Sequence, residues 1–214
     1  MNVAVLIDGF NLYHSMEKNK FSKYKWLNFS KFFRNYVNSR DKLEIHYFTT
    51  INYEDILAFR INPEKQKGKL KRHLELIKAE ESYGVIVHYG NFRDTEFTCR
   101  KCGHKNIIRK EKQTDVSIGA YLAYLAFSRN FDKFLILSAD TDLIGAIKLV
   151  KESDSEKRID LILPPGVDTS EISRHCEKTF IIKEEDLRDS LFPLLFENKK
   201  KETLVCPEEW RNMK

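Results

Sequence analysis

The chain has 214 residues, 42% of them hydrophobic and 15 of them Phe, enough for one substantial core with at most a small appendage. Its 37 basic and 32 acidic side chains leave a net charge of +5, which permits a nucleic-acid partner without arguing for one. The opening Met-Asn-Val-Ala-Val-Leu-Ile-Asp meets an acid too early for a signal peptide, and no apolar run approaches the roughly 18 residues that span a bilayer. Four cysteines without a signal read as thiols or metal ligands rather than a disulfide framework, so a soluble cytoplasmic protein is expected.

Val3 to Ile7 is a β-branched apolar run that reads as a buried strand, and it ends in Asp8-Gly9-Phe10-Asn11 before Leu12-Tyr13 opens a helix. Asp8 serves either as a turn residue, with Gly9 giving the backbone room, or as a functional acid at a strand end. Residues 18–28 interleave lysines with aromatics. Lys23, Lys25 and Trp26 are candidates to contact phosphates and stack bases, the alternative being a loop whose rings pack inward while its lysines stay in water. Asn28-Phe29-Ser30 starts a helix predicted through about Val37, and Leu43 to Thr50 is a second strand. A loop and short helix follow over 51–60. Pro63 then opens a long helix that carries a basic run and ends at Gly84, and Val85 to Tyr89 is a third strand.

Residues 91–110 depart from the α/β rhythm and read as a hairpin insertion rich in Arg93, Arg100, Lys101 and Lys110, with Lys112 just beyond. Its Cys99-Arg100-Lys101-Cys102-Gly103 has the turn of a zinc knuckle, which brings two thiolates to one side. A structural Zn²⁺ normally needs four ligands, for which His104, Cys176 and Cys206 are candidates, and the other reading is an empty turn. Thr114 or Asp115 caps the next helix, which leads into the buried strand Phe134 to Leu137. That strand breaks into Ser138-Ala139-Asp140-Thr141-Asp142, and helical periodicity resumes at Leu143. A cap explains one of these acids, not both.

Arg158 to Leu163 is a further strand, a short helix begins near Ser170, and Phe180-Ile181-Ile182 is the last apolar run. The reading divides the chain into a domain over 1–183 and a tail over 184–214. In the tail Phe192, Leu194, Leu195 and Phe196 are candidates to dock, and Lys199-Lys200-Lys201 reads as a solvated linker.

Strands alternating with helices predict an α/β fold with a mostly parallel sheet covered on both faces. Acids at the carboxyl ends of its strands can then converge, which assembles Asp8, Asp115, Asp140 and Asp142. Like charges stay ionised together only around a cation, and hard oxygen ligands select Mg²⁺ or Mn²⁺. Such a site can activate water against a phosphodiester.

Val-Leu-Ile-Asp-Gly-Phe-Asn-Leu at 5–12, Glu-Lys-Gln-Thr-Asp-Val at 111–116 and Ser-Ala-Asp-Thr-Asp-Leu at 138–143 resemble, in order and spacing, the three motifs of the NYN domain family, the LabA-like branch of the PIN-domain ribonucleases. The resemblance runs over about residues 2–183. It implies a three-layer PIN-like α/β/α fold and a metal-dependent endonuclease acting on RNA, single-stranded or structured. Carried across residue by residue, it makes Asp8, Asp115, Asp140 and Asp142 the metal-binding acids, with Asn11, Ser138 and Thr141 in support. The chain departs from the usual motifs at Ala139, Thr141 and Leu143, where Gly, Ser and Phe are common, and at Gln113-Thr114, where Gly-Val is common. The alternatives are a non-catalytic RNA-binding module with a vestigial site and a phosphohydrolase on small substrates. Phe10 argues against the latter, because it stands where an Asp-x-Asp motif needs its second acid. A homodimer is compatible with all three.

Overall fold

A computed structural model of the chain describes residues 1–51, 68–98, 101–112, 114–168 and 170–211, and of 91–95, 97 and 106–112 the backbone. Seven strands form the main sheet: β1 (Asn2–Asp8), β2 (Lys42–Thr50), β3 (Ile86–Thr98), β4 (Lys105–Lys112), β5 (Lys133–Leu137), β6 (Arg158–Leu163) and β7 (Thr179–Ile181). Their order is β4-β3-β2-β1-β5-β6-β7. All neighbours run parallel except β3 and β4, whose antiparallel ladder from Asn91↔Lys112 to Thr98↔Lys105 extends the edge.

Chain order reverses between β1 and β5. β1, β2 and β3 step outward in one direction, and β5, β6 and β7 step outward in the other. Right-handed crossovers therefore send the helices of the two halves to opposite faces and open a crevice at the carboxyl ends of β1 and β5. The buried side chains separate accordingly. Val3, Val5 and Ile7 of β1 face a core shared with α1 (Gly9–Lys18), α2 (Phe29–Phe32) and α3 (Lys69–Ser82). Ala4 and Leu6 face the opposite core, built with α4 (Thr114–Ser128) and α5 (Ile144–Ser153). This period-two division within one fully buried strand is why the sequence there is apolar without interruption.

Three local expectations are revised. The helix begun by Asn28, whose side chain accepts from the Lys31 amide, has a single α turn, α2, and continues as a 3-10 segment over Phe33–Tyr36. The central helix α5 is preceded by a 3-10 turn, Thr141–Leu143, and the predicted helix near Ser170 is a 3-10 segment, Glu171–His175. α3 ends before Gly84, whose φ of +87° suits a glycine, while Pro63 and the rest of 52–67 lie outside the described residues.

Beyond β7, α6 (Glu184–Asp189) places Leu187 in the core that holds α1. The chain then returns across the body: the Phe192 amide donates to the Trp26 carbonyl at 3.0 Å and the Asn28 amide to the Ser190 carbonyl at 2.9 Å. A hairpin follows, β8 (Leu195–Glu197) and β9 (Thr203–Val205), and then α7 (Glu208–Arg211). Lys199-Lys200-Lys201 is the tip of this hairpin rather than a linker, because the Asn198 carboxamide accepts from the Lys200 and Glu202 amides and folds the turn on itself. Of the docking candidates, Phe192 is buried and Phe196 packs partly, while Leu194 and Leu195 stay exposed. Among the described residues no helix is long and apolar enough to cross a membrane.

Candidate metal centre

Asp8 ends β1 and is buried. It has the residue parity of Ala4 and Leu6, so strand alternation directs it to the α4 side of the sheet. It also caps α1, its Oδ1 accepting from the Asn11 amide at 2.9 Å. Directly after it, Gly9 lies so close to β2 that a Cβ there would meet the Phe48 carbonyl at 2.5 Å and the Tyr47 ring at 2.6 Å. The glycine of the first motif is thus required by close approach, which in turn fixes where Asp8 sits.

β5 delivers the second set. The Ser138 hydroxyl, fully buried, donates to Asp8 Oδ2 at 2.9 Å and accepts from the Asp140 amide at 3.1 Å. The Asn11 side-chain oxygen accepts from the Ala139 amide at 3.3 Å, and the Ser170 hydroxyl donates to the Ala139 carbonyl at 3.1 Å. Asp140 caps the 3-10 turn, its Oδ1 accepting from the Asp142 amide at 2.9 Å. Ser138 and Asn11 therefore tie the first and third motifs into one polar network. Ala139 packs against the apolar cluster beneath α4 and α5, and Leu143 is buried in it.

The third contribution comes from α4, whose first turn holds Asp115. Asp8, Asp115 and Asp140 each place a carboxylate oxygen within 4.8 Å of the other two. Two oxygens on opposite sides of one Mg²⁺ are separated by about 4.2 Å, twice a bond of roughly 2.1 Å, so the trio has the spacing of ligands around one small cation. Each pair of bare carboxylates at such a distance repels by about 3–4 kcal/mol at an effective dielectric of ~20. The hard-oxygen donor set fits Mg²⁺ or Mn²⁺ and does not fit a thiophilic ion.

The structure also separates residues that the sequence grouped. Asp142 is exposed and does not join the trio, since a turn places its backbone, not its carboxylate, on Asp140. Thr141 is exposed beside it. One contributor was not foreseen. The Thr50 and Thr114 hydroxyls are 3.2 Å apart, tying the end of β2 to the start of α4 next to Asp115. A threonine at each of two element ends was the only signal for it.

Several expected nucleic-acid contacts move. Trp26 is a core residue, 2% exposed, its indole N–H donating to the Pro193 carbonyl at 3.0 Å while its ring packs on Phe192 and Trp210, so it offers no face to a base. Lys25 is buried too, paired with Glu17 and lying over the Tyr13 ring at 4.1 Å. Lys23 is half-buried and bridges to Glu184 at 3.2 Å. Lys101 is exposed beyond β3, whereas Arg100 lies outside the described residues and Arg93, Lys110 and Lys112 are described by backbone only.

The zinc expectation loses two of its ligands. Cys176 packs in the α4 and α5 core, and Cys206 is buried in a separate cluster with Trp26. Cys102 and His104 are exposed, and Cys99 lies outside the described residues. Among the described residues the Asp trio is the one group of three or more His, Cys, Asp and Glu side chains in metal-ligand range.

An open, mostly parallel α/β sheet with a carboxylate trio in its switch-point crevice places a donor set compatible with a divalent cation where such sheets bind their ligands. The chain belongs to the NYN domain family, whose match spans residues 2–187 and which is part of the PIN-like nuclease superfamily. No curated protein matches it in sequence. Among solved structures it is similar to a protein of unknown function from Vibrio parahaemolyticus, at 13% identity and a TM-score of 0.54, covering 89% of this chain and 96% of that one. It also aligns with ribokinase from Giardia lamblia at 12% identity and a TM-score of 0.35, covering 95% of this chain and 74% of that one. The first shows the fold.

Proposed function

We propose that the chain is a metal-dependent endoribonuclease of the cytoplasm. The observation that carries this reading is the trio itself: Asp8, Asp115 and Asp140 within 4.8 Å of one another at the switch point of a PIN-like sheet. These three would hold a Mg²⁺ or Mn²⁺ ion, which when bound supplies a water of lowered pKa and charge stabilisation for the phosphoryl oxygens. The protein's own part is positional. Ser138 and the Asn11 amide occupy both oxygens of Asp8 and fix its rotamer, and Ser138 holds the Asp140 backbone. Asp142 stands outside the trio and would act, if at all, by accepting a hydrogen bond from water at the rim. Lys101, with Arg93, Arg100, Lys110 and Lys112 of the same segment, would run along the RNA backbone as phosphate contacts.

The test is incubation of the purified protein with single-stranded and structured RNA in Mn²⁺, Mg²⁺ or EDTA. Cleavage is expected with either metal and not with EDTA, and Asp8→Asn or Asp140→Asn should lower the rate on the order of 10²-fold or more while the circular dichroism spectrum is kept. Wild-type cleavage by Asp140→Asn would overturn the assignment. Salt-sensitive RNA binding with no cleavage under any metal would replace it with the binding-module reading.

A further inference from the structure

A second concavity lies beside the acid crevice, on the other face of β1 and β2. It is a cavity of about 320 Å³ between α1, the end of β2 and α3, with Trp210 of α7 in its wall. Its volume is at the small end of ligand sites, which run from about 300 to 1,000 Å³, so it suits one monomer unit rather than a polymer.

We propose that this cavity is a base-binding subsite, taking one unpaired nucleobase of the strand whose phosphodiester lies at the Asp trio. The proposal deepens the nuclease reading and rests on it for the link to cleavage.

Position supplies the first argument. Gly9, which follows Asp8 directly, and Thr50, whose hydroxyl meets that of Thr114 beside Asp115, both line the cavity. Its walls are thus one residue along the chain from Asp8 and one hydroxyl contact from the neighbour of Asp115.

The walls supply the second. Half-buried Tyr13 presents ring surface, and the buried Phe29, Tyr47 and Trp210 line the wall behind it, an aromatic surround that suits a planar heterocycle turned out of a strand. Into this apolar enclosure points a small polar set. His73 Nε2 lies 3.0 Å from the Thr49 hydroxyl and 3.5 Å from the Tyr47 hydroxyl. Burial pushes His73 down to about 4, so at neutral pH the ring is uncharged, and with Nε2 engaged by these hydroxyls Nδ1 is the nitrogen that would make a single hydrogen bond to a base.

Charge supplies the third. Lys25, Lys69 and Arg72 also line the cavity. Lys25 is held by Glu17, and Arg72 by Glu209 of α7 at 2.6 Å. With three cations against these two acids, the cavity retains a cationic balance suited to the phosphate that accompanies a base. Glu209 and Trp210 lie beyond residue 187, where the family match ends.

The test uses the full-length Asp140→Asn protein, so that binding is read without turnover. Isothermal titration calorimetry with the four nucleoside 5′-monophosphates, their nucleosides and inorganic phosphate should give saturable binding of at least one monophosphate. A preference of tenfold or more over the weakest base is expected, and His73→Ala should abolish it. In the cleavage-competent protein the same substitution should flatten base preference next to the cut by at least tenfold. Should His73→Ala fail to fold, Tyr13→Ala removes a half-buried wall ring and serves the same comparison.

Absence of saturation by any monophosphate overturns the subsite, as does equal binding of all four unaffected by either substitution. Binding of inorganic phosphate as tight as that of the best nucleotide also overturns it, leaving an anion site only. These outcomes are separate from the fate of the nuclease reading, which falls if Asp140→Asn still cleaves at the wild-type rate, whatever the calorimetry shows.

Discussion

The acid crevice and the aromatic cluster beneath the C-terminal segment are both assembled from distant parts of the chain, but they are held by opposite means. At the crevice Asp8, Ser138, Asp140 and Asn11 are fixed by directional hydrogen bonds at element ends. In the cluster Trp26, Phe192, Leu204, Cys206 and Trp210 are fixed by packing against Leu76 and Ala79 of α3. Hydrogen bonds set geometry and contribute little net stability, whereas buried rings contribute much of it without directionality. Damage to the first region should therefore appear in chemistry, and damage to the second in folding.

The largest effect expected from this contrast is on the apolar side. Trp26→Ala removes a nearly fully buried indole and strands the Pro193 carbonyl, so it should cost about 3–5 kcal/mol in urea denaturation. Hydrogen exchange should then open residues 190–211 ahead of the sheet. Protection that stayed uniform along the chain would break the idea that one cluster fastens this segment.

Next in size is a pH effect. His73 is neutral in the fold because burial lowers it from 6.5 to about 4, and His88 is lowered to about 4 by burial and the neighbouring His46. The unfolded chain binds protons at these sites below about pH 6.5 while the fold does not. Their stabilising contribution is therefore complete above pH 6.5 and is lost as pH falls toward 4, amounting to roughly 3 kcal/mol for His73. Melting temperature measured from pH 7.5 to 4.5 should fall through this window, and a flat profile would contradict neutral burial of these rings.

How much of each region is legible in sequence follows from the same contrast. Asp8 and Asp140 end apolar runs and precede helices, so their convergence follows from strand order and alternation. Hydroxyl and amide neighbours such as Ser138 and Asn11 announce the network. What is not legible is which acid a turn rotates outward, because Asp140 and Asp142 differ only by their place in a 3-10 turn. Trp26 was misplaced for a different reason. A tryptophan among lysines has the composition of a binding loop, and its burial depends on a segment 167 residues further along the chain, where Pro193 accepts its indole N–H. Cys206, a zinc-ligand candidate on composition alone, is instead a small apolar group in that cluster.

A smaller effect tests the boundary between the two regions. Glu80 of α3 is fully buried, with one oxygen accepting from the Phe29 amide at 3.0 Å and the other without a partner among the described residues. Burial raises its pKa well above the ordinary value. Sign follows directly: the fold binds a proton that the unfolded chain has released above about pH 4.5, so this stabilisation is full below that pH and is lost as pH rises. Glu80→Gln should raise the melting temperature by a few degrees at pH 8 and by less at pH 5. An equal change at both would show that ionisation is not the issue.

The smallest effect expected lies inside the crevice and uses the proposed cleavage as its readout. Asp142 is exposed and its carboxylate stands outside the trio, whereas Asp140 belongs to it. Asp142→Asn keeps the amide that donates to Asp140 Oδ1, so the turn should survive. The rate should then fall by less than about tenfold, near 1.4 kcal/mol, against the larger loss from Asp140→Asn. Raising Mn²⁺ should leave the residual deficit of Asp142→Asn unchanged, because its carboxylate is not in the set that would hold the ion. If high Mn²⁺ restored Asp142→Asn to the wild-type rate, the fourth acid would belong to the metal shell after all, and the three-acid description drawn from the geometry would have to be widened.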